Sequence, residues 1–197
     1  MDLELLESVG IGLGLGVAAG FRVVVPFWML SAAAYFGHLP LQGNMQWLGG
    51  ETALIGLTIA LVVELLAYSI PWLDNVVDTV AVPVAAIAGT LLMALATNEL
   101  DPFAKWSLAI VAGGGTAATV KGLSGFTRLI STATTGGLTN LLVAIAELLG
   151  AIALSALALT APLLAFAGVL VLFILLLRFG VKAFYKTQGL PAESDQG

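Results

Sequence analysis

Ionisable side chains inside long apolar stretches are the residues of this sequence most able to do chemistry. Along the chain they are Arg22, Glu64, Asp74, Asp78, Lys121, Arg128 and Glu147. A charged group within a membrane is costly, so it normally faces protein or water and has a partner. We therefore expect Arg22 and Lys121 to pair with the two glutamates. Such pairs can fix helix packing or belong to a solute pathway, and the sequence leaves both readings open.

The carboxylates divide into two kinds of candidate. Glu64 and Glu147 lie among leucines and other aliphatic residues, which disfavour the charged form of a carboxyl. Both are therefore candidates for proton coupling. Asp74 and Asp78 are four residues apart, so they share one helix face and could hold a cation or share a proton. Asp74 follows Pro71 and precedes the next helix, which favours a role as the cap of that helix, and the helix dipole would also favour Asp78.

Hydroxyl residues gather in the run 131–140, which contains two glycines. Ser131, Thr134 and Thr135 are its members expected to line a pathway. Polar and β-branched residues disfavour an ordinary helix, so the run predicts a surface loop or irregular backbone lining a cavity. No histidine lies nearby in sequence to act as a base, so an intramembrane hydrolase is not expected.

The composition excludes several classes of site. The chain has no cysteine and one histidine, which excludes thiol chemistry and a multi-histidine metal centre within one chain. A net charge of −5 argues against binding nucleic acid, which needs a basic face. Phosphate-binding loops, dinucleotide fingerprints and nucleophile elbows are absent from the sequence. We predict a protein that is not an enzyme and carries no cofactor and no metal.

The elements that position these residues are expected to be helices crossing a lipid bilayer. The chain is 59% hydrophobic and 10% charged, whereas soluble domains carry roughly 25% charged residues. About 20 apolar residues cross the hydrocarbon core as a helix. The prediction is an all-α bundle with one transmembrane domain over 1–186 and a disordered cytoplasmic tail over 187–197. Its six spans are expected at about 8–36, 51–70, 76–96, 103–134, 140–159 and 163–181.

Positive charge near the ends of spans predicts the orientation. Arg178, Lys182 and Lys186 follow the sixth span, which places the C-terminus in the cytoplasm. Six spans would then place the N-terminus there too. The first residues contain no Lys or Arg, unlike a cleavable signal peptide, so the first span should be retained. The predicted location is the inner, cytoplasmic membrane.

The two halves of the sequence resemble each other. Residues 18–22 align with 117–121, and residues 64–67 align with 147–150, so that one basic and one acidic residue recur in the same order. The repeats would cover about 8–97 and 103–182. With three spans in each, the second repeat enters the membrane upside down, an architecture typical of secondary transporters. Coincidence of composition is the alternative.

Glycines mark the first and fourth spans. Gly12, Gly16 and Gly20 are four apart and line one helix face, where they allow another backbone to approach closely. The run 113–115, which is Gly113, Gly114 and Gly115, is expected to do the same. The other reading is an unwound segment before Arg22, followed by a kink at Pro26. We expect both spans to be interrupted, and glycine-rich faces also suit a homo-oligomer.

Several runs of the sequence resemble one bacterial membrane family. They are Gly20-Phe21-Arg22 with Pro26, Pro71-Trp72-Leu73-Asp74-Asn75 with Asp78-Thr79, Gly113-Gly114-Gly115, and the run 131–138. Over about 10–178 the chain is similar to the family catalogued as domain of unknown function 4126. The resemblance implies a bacterial integral-membrane protein and marks the two polar runs as family signatures. It implies no activity.

The function predicted from these observations is a small secondary transporter or channel-like permease. Its solute would be small and anionic or zwitterionic, bound by Arg22 and Lys121, with proton coupling through Glu64 and Glu147. The alternative is a non-transporting membrane scaffold or a protein that binds lipid or another protein. That alternative needs only packing glycines and structural ion pairs. Either way the expected partners are the lipid bilayer and, for a transporter, a small solute or ion.

Overall fold

The computed structural model describes residues 3–39, 41, 43–67, 71–136 and 139–188. Side chains are described for these residues except 43–44, 71–79, 176–177 and 179–188. Within these ranges the chain is helical and contains no strand. The predicted all-α class is therefore confirmed. Residues 189–197 of the predicted tail lie outside the described ranges.

The helices follow one another with short connections. A 3₁₀-helix, Gly43–Gly49, precedes α3, and a π-helix, Ala109–Gly114, joins α5 directly to α6. The α-helices are α1 Leu3–Phe21, α2 Val24–Tyr35, α3 Glu51–Ala67, α4 Pro71–Ala96, α5 Pro102–Leu108, α6 Gly115–Thr135, α7 Asn140–Thr160 and α8 Pro162–Gln188. Most begin at a proline or follow a polar residue. At α5, for example, Asp101 accepts hydrogen bonds from two backbone N–H groups and Pro102 fills the first position.

Helix α1 is the centre of the bundle. Every residue from Gly12 to Gly20 is buried, and α4, α6, α7 and α8 all pack against this helix. On one side Gly12, Gly16 and Gly20 meet α4, the π-helix and α6, and on the other Gly10 and Gly14 meet α7 and α8. A helix surrounded on all sides needs small residues on more than one face. This explains why glycines lie on two faces of α1 and not on one face only.

Contacts of α1 fix the direction of its neighbours. Gly10 and Gly14 meet successive turns of α8, so α8 runs parallel to α1. The helical rod of α5, π-helix and α6 also runs parallel to α1, whereas α4 and α7 run antiparallel. Two contacts give each direction. They are Gly10–Pro162 and Gly14–Ala165 for α8, Gly16–Gly113 and Gly20–Val120 for the rod, and Gly14–Ala158 and Phe21–Gly150 for α7. For α4 they are Gly12–Ala96 and Gly89–Gly113, since Gly113 also meets Gly16. The first residues of α1 and the last turns of α8 therefore lie at opposite ends of the bundle.

The predicted first span, 8–36, is two helices. α1 ends at Phe21 and α2 begins at Val24, so the interruption falls at Arg22 and Val23. Beyond it the chain turns back, because Val25 belongs to a buried cluster with Ala18 of α1 and α7 residues. Pro26 stands in the first turn of α2, where its missing N–H leaves no helical hydrogen bond unmade. The proline thus begins a new helix.

A second interruption lies in the predicted fourth span. The π-helix Ala109–Gly114 interrupts the regular hydrogen bonding of the rod, as such single turns do. The hydroxyl of Thr116 donates to the carbonyls of Ala112, at 2.5 Å, and Gly113, at 3.0 Å. These bonds satisfy carbonyls that the irregular turn displaces, while Gly113 and Gly114 pack against α4.

Asn140 begins α7, and the prediction of a loop or irregular backbone at 131–140 is also wrong for residues 131–135. These residues form the last turns of α6, which ends at Gly136 with a left-handed conformation, φ 64°. Thr134 and Thr135 donate to the carbonyls of Ile130 and Ser131, one turn earlier, so their hydroxyls are satisfied within the helix. Residues 137 and 138 lie outside the described ranges.

The surface of the bundle is suited to lipid. Two described helices, Leu3–Phe21 and Asn140–Thr160, are long and apolar enough to cross a membrane, and shorter apolar stretches occur at Val24–Tyr35, Val80–Ala96 and Pro162–Leu175. Helix α3 has no buried residue and exposes aliphatic side chains along its length. Soluble proteins rarely expose apolar patches of this extent, so the surface supports membrane association.

Gly113→Ala should destabilise the bundle by about 1–3 kcal/mol, because the added methyl group would overlap the backbone of Gly89 and force the helices apart. Gly115→Ala is the matched control, since a methyl group there meets nothing within 4 Å. Thermal unfolding in detergent measures both variants. Equal unfolding temperatures for Gly113→Ala and Gly115→Ala would contradict the close contact between α4 and the π-helix.

Candidate functional site

The break between α1 and α2 exposes backbone groups that a continuous helix would satisfy. One carboxylate oxygen of Glu64, on α3, accepts the N–H of Val23 at 2.9 Å, and the other accepts the N–H of Val24 at 3.3 Å. A carboxylate at a helix N-terminus satisfies free donors and is favoured by the helix dipole. Glu64 therefore caps α2 from a neighbouring helix.

The other side of the break is satisfied by a lysine. The ammonium of Lys121, on α6, donates to the carbonyl of Phe21, the last residue of α1, at 3.3 Å. Cations are favoured at the C-terminal end of a helix dipole. Lys121 is 2% exposed, and together with Arg22 it attracts the carboxylate of Glu64 electrostatically. Glu64 thus satisfies the N-terminal end of α2, and Lys121 satisfies the C-terminal end of α1.

Arg22 joins the break to the second half of the chain. Its side chain is 1% exposed and donates from Nη2 to the carbonyl of Ala144, on α7, at 3.2 Å. Its Nε lies 3.7 Å from a carboxylate oxygen of Glu147, one turn further along α7. The expected pairing of Arg22 with a glutamate is therefore present, and it crosses between the two halves.

Glu147 is the most heavily bonded carboxylate among the described residues. The guanidinium of Arg128 forms an ion pair and hydrogen bonds with it, and the hydroxyl of Ser124 donates to it. Glu147 and Arg128 are 4% and 3% exposed. Burial in apolar surroundings is tolerated because both carboxylate oxygens accept hydrogen bonds and the charge is paired with arginine.

These contacts define the charge cluster, in which the break between α1 and α2 meets α3, α6 and α7. Its residues are Arg22, Glu64, Lys121, Arg128 and Glu147. Sequence reasoning named all five but did not assign a partner to Arg128. It missed Ser124, although Ser124 stands three residues after Lys121 and four before Arg128, a spacing that puts the three on one helix face.

The other candidate residues lie apart from these contacts. Ser131 is buried and bonds to the hydroxyl of Thr139 at 2.5 Å, while Thr134 and Thr135 bond within the last turns of α6. These hydroxyls tie α6 to the turn that precedes α7. The side chains of Asp74 and Asp78, in the first turns of α4, lie outside the described ones.

The glycine candidates divide by their surroundings. A methyl group at five of them would meet atoms of a neighbouring helix, whereas at Gly115 it would meet nothing within 4 Å. The five in contact are Gly12, Gly16, Gly20, Gly113 and Gly114.

Two clefts of about 680 Å³ and 620 Å³ open on the bundle, and neither is lined by a residue of the charge cluster. Neither of these two clefts therefore leads to the charge cluster. Among the described residues no group of three or more His, Cys, Asp or Glu side chains could hold a metal ion. Chemically, the cluster can bind a charged group or exchange a proton.

Comparison with known proteins gives one match. The model of the family described as Domain of unknown function (DUF4126) matches residues 9–182, which confirms the resemblance drawn from the polar runs. No curated protein and no solved structure matches the chain.

Glu147→Gln should destabilise the protein by about 3–5 kcal/mol, because it removes the buried negative charge that Arg22 and Arg128 share. Glu99→Gln is the control, since Glu99 is exposed and surface changes alter stability by about 0.5 kcal/mol or less. Thermal unfolding of both purified variants in one detergent gives the comparison. If the two variants unfold alike, the buried ion pairs do not hold the bundle together.

Proposed function

We propose that this chain, which belongs to the family catalogued as domain of unknown function DUF4126, is a small secondary transporter or permease for an anionic or zwitterionic solute. The observation that carries the proposal is the meeting of five ionisable side chains at a helix break inside an apolar bundle. Ionisable residues inside membrane helices commonly mark solute and ion pathways. Broken helices near the middle of the bundle are the usual construction of transporter sites.

The chemistry of the break supports the class of solute. The N–H groups of Val23 and Val24 already hold a carboxylate, that of Glu64, beside the positive charges of Arg22 and Lys121. A solute carboxylate or phosphate has the same acceptor geometry and charge. In the proposed cycle such a group displaces Glu64 from the two N–H groups.

Proton coupling follows from the two glutamates. A protonated Glu64 would lose most of its attraction for the helix end and the neighbouring cations, and would release that position. Glu147 holds Arg22 and Arg128 in the same way. Protonation of either carboxyl would weaken a contact between elements that have to move relative to each other.

The helix directions support a revised form of the inverted repeat. Trp28 bonds to Thr58 and Val23 to Glu64, so α2 and α3 are antiparallel. The triplet α2, α3 and α4 then runs in the opposite sense to the triplet α6, α7 and α8, with α1 as an additional central helix. In the first triplet Glu64 of α3 accepts a hydrogen bond at the start of α2. In the second triplet Glu147 of α7 accepts hydrogen bonds from two side chains of α6. We propose these triplets as the two inverted repeats.

The same directions revise the six proposed spans. α2 has 12 residues and is about 18 Å long, shorter than the hydrocarbon core of about 30 Å, so it returns only part of the way across. The 3₁₀-helix and its flanking segment complete the return to α3. The chain then crosses the bundle an odd number of times. On this proposal its two termini face opposite sides of the membrane.

Charge placement assigns those sides. Four exposed acids, Glu4, Glu51, Glu99 and Asp101, lie at the end of the bundle where α1 begins, together with Lys105. The opposite end carries Arg178 and the basic residues that follow it in sequence. Positive residues are retained in the cytoplasm, so we place the C-terminus there and the N-terminus outside.

A second candidate function is a membrane scaffold without transport. It is favoured by the closed packing of the charge cluster, which neither cleft reaches, and by the direct ion pairs of Glu147. In that case the cluster fixes the helix arrangement and no solute passes. A transporter predicts that neutralising the glutamates changes the movement of solute. A scaffold predicts that neutralising them changes only the stability of the bundle.

The double variant Glu64→Gln with Glu147→Gln should abolish proton-coupled uptake. The assay uses proteoliposomes loaded with a pH-sensitive dye and given succinate, inorganic phosphate or glycine in turn. The unaltered protein should move at least one of these solutes with a change of internal pH. The double variant should show no such change, because neither glutamine can carry the proton.

The control for that assay is Glu99→Gln, which alters an exposed acid outside the charge cluster and should leave coupling unchanged. Uptake by the double variant with the same pH dependence as the unaltered protein would refute the coupling role. Absence of flux for every probe in correctly folded, unaltered protein would instead favour the scaffold.

The proposed topology predicts opposite labelling of the two ends. The chain has no cysteine, so single substitutions Glu4→Cys, Glu99→Cys and Lys186→Cys each provide one reactive thiol. In intact cells a membrane-impermeant maleimide should label the first two from outside and Lys186→Cys only after permeabilisation. Labelling of Glu4→Cys and Lys186→Cys from the same side would contradict the odd number of crossings.

A further inference from the structure

The larger of the two clefts lies at the end of the bundle where α1 begins, and we call it the apolar cleft. Its walls come from α1, α2, the segment before the 3₁₀-helix and the last turns of α4. Leu15, Leu30 and Leu92 form its floor and are buried. Its volume of about 680 Å³ is within the range of about 300–1,000 Å³ typical of sites for small ligands.

The polar lining of this cleft is concentrated at one place. Asn98 and Glu99, in the turn after α4, and Lys105 and Trp106, in α5, line the rim, while Ser8 of α1 is the one other polar side chain among the described lining residues. Lys105 donates from Nζ to the side-chain oxygen of Asn98 at 2.8 Å, which holds the ammonium at the rim. Tryptophan is enriched at the boundary between headgroups and hydrocarbon. The rim is therefore at the level where a lipid changes from polar to apolar.

The walls and the rim together select an amphiphile. A small polar solute would find no hydrogen-bonding group along the leucine-lined floor, whereas a hydrocarbon chain would cover it and remove apolar surface from contact with water or headgroups. At the rim Lys105 and Glu99 bring one positive and one negative charge to the lining of the same cleft. That pair is complementary to a headgroup that carries both a phosphate and an ammonium.

We propose that the apolar cleft binds one acyl chain of a zwitterionic phospholipid, with the lipid phosphate at Lys105 and its ammonium at Glu99. A phospholipid without the ammonium should bind less well, because the carboxylate of Glu99 then faces only negative charge. The site is separate from the charge cluster, and the inference does not depend on transport.

The test is native mass spectrometry of the full chain in detergent. The probes are phosphatidylethanolamine and phosphatidylglycerol with identical acyl chains. The unaltered protein should retain one phosphatidylethanolamine molecule per chain, in preference to phosphatidylglycerol. Lys105→Gln should weaken retention of both lipids by about tenfold, as expected for loss of a charge-assisted hydrogen bond. Glu99→Gln should remove the preference between the two headgroups.

A matched pair of variants tests the cleft itself. Leu91 lines the apolar cleft, and Leu91→Trp should fill it and reduce lipid retention as strongly as Lys105→Gln. Ile87 lies one turn earlier on the same helix, is exposed and does not line the cleft, so Ile87→Trp should retain lipid normally. Equal retention in these two variants, or no retained lipid in the unaltered protein, would overturn the proposal. Unchanged retention in Lys105→Gln would do so even if Leu91→Trp failed to fold.

Discussion

The break between α1 and α2 exists inside this bundle because charged side chains satisfy both helix ends. Glu64 accepts the first N–H groups of α2, and Lys121 donates to the last carbonyl of α1. Unsatisfied backbone groups in apolar surroundings would cost several kcal/mol each, so a break without these partners would not persist. The two side chains come from α3 and α6. The position of each of these helices is therefore linked to the break, and the return of α2 follows from it.

Close packing around α1 supplies the second constraint. Its glycines allow four helices to approach one central helix, and Gly113 and Gly89 allow the π-helix to approach α4. A bundle packed this tightly can place Arg22 within reach of Glu147 on the far half of the chain. Arg22, the residue after the end of α1, thereby connects the two halves. Small residues and buried charges are two parts of one arrangement.

On the proposed function, the network around Glu147 would serve transport as well as stability. A buried carboxylate with an arginine on either side is held by interactions that are strong in a medium of low dielectric. Any solute or proton that enters the network must exchange with an existing contact. Movement between the halves must also change the contact between Arg22 and Glu147. This makes a structural ion pair and a coupling element compatible roles for the same residues.

Sequence reasoning was most accurate where apolar runs end at polar residues or prolines. The span predicted at 140–159 is α7, Asn140–Thr160, and the one predicted from residue 51 is α3, Glu51–Ala67. It did not predict that the chain reverses direction at Arg22 and Val23, within one apolar run, because Pro26 suits both a kink and the first turn of a new helix. It failed again at 131–135, where threonine hydroxyls bond to the preceding turn and make a helix of a segment with poor propensity.

The sequence by itself determined the helical class, the residues that carry charge into apolar surroundings and the small residues that permit close packing. These depend on composition and local periodicity, both of which can be read from the sequence alone. Only the tertiary structure decided that Glu147 pairs with both Arg128 and Arg22, and that Glu64 bonds to a broken backbone. Such partnerships depend on the direction and rotation of whole helices relative to one another. Those are set by packing around α1, which no local pattern of residues encodes.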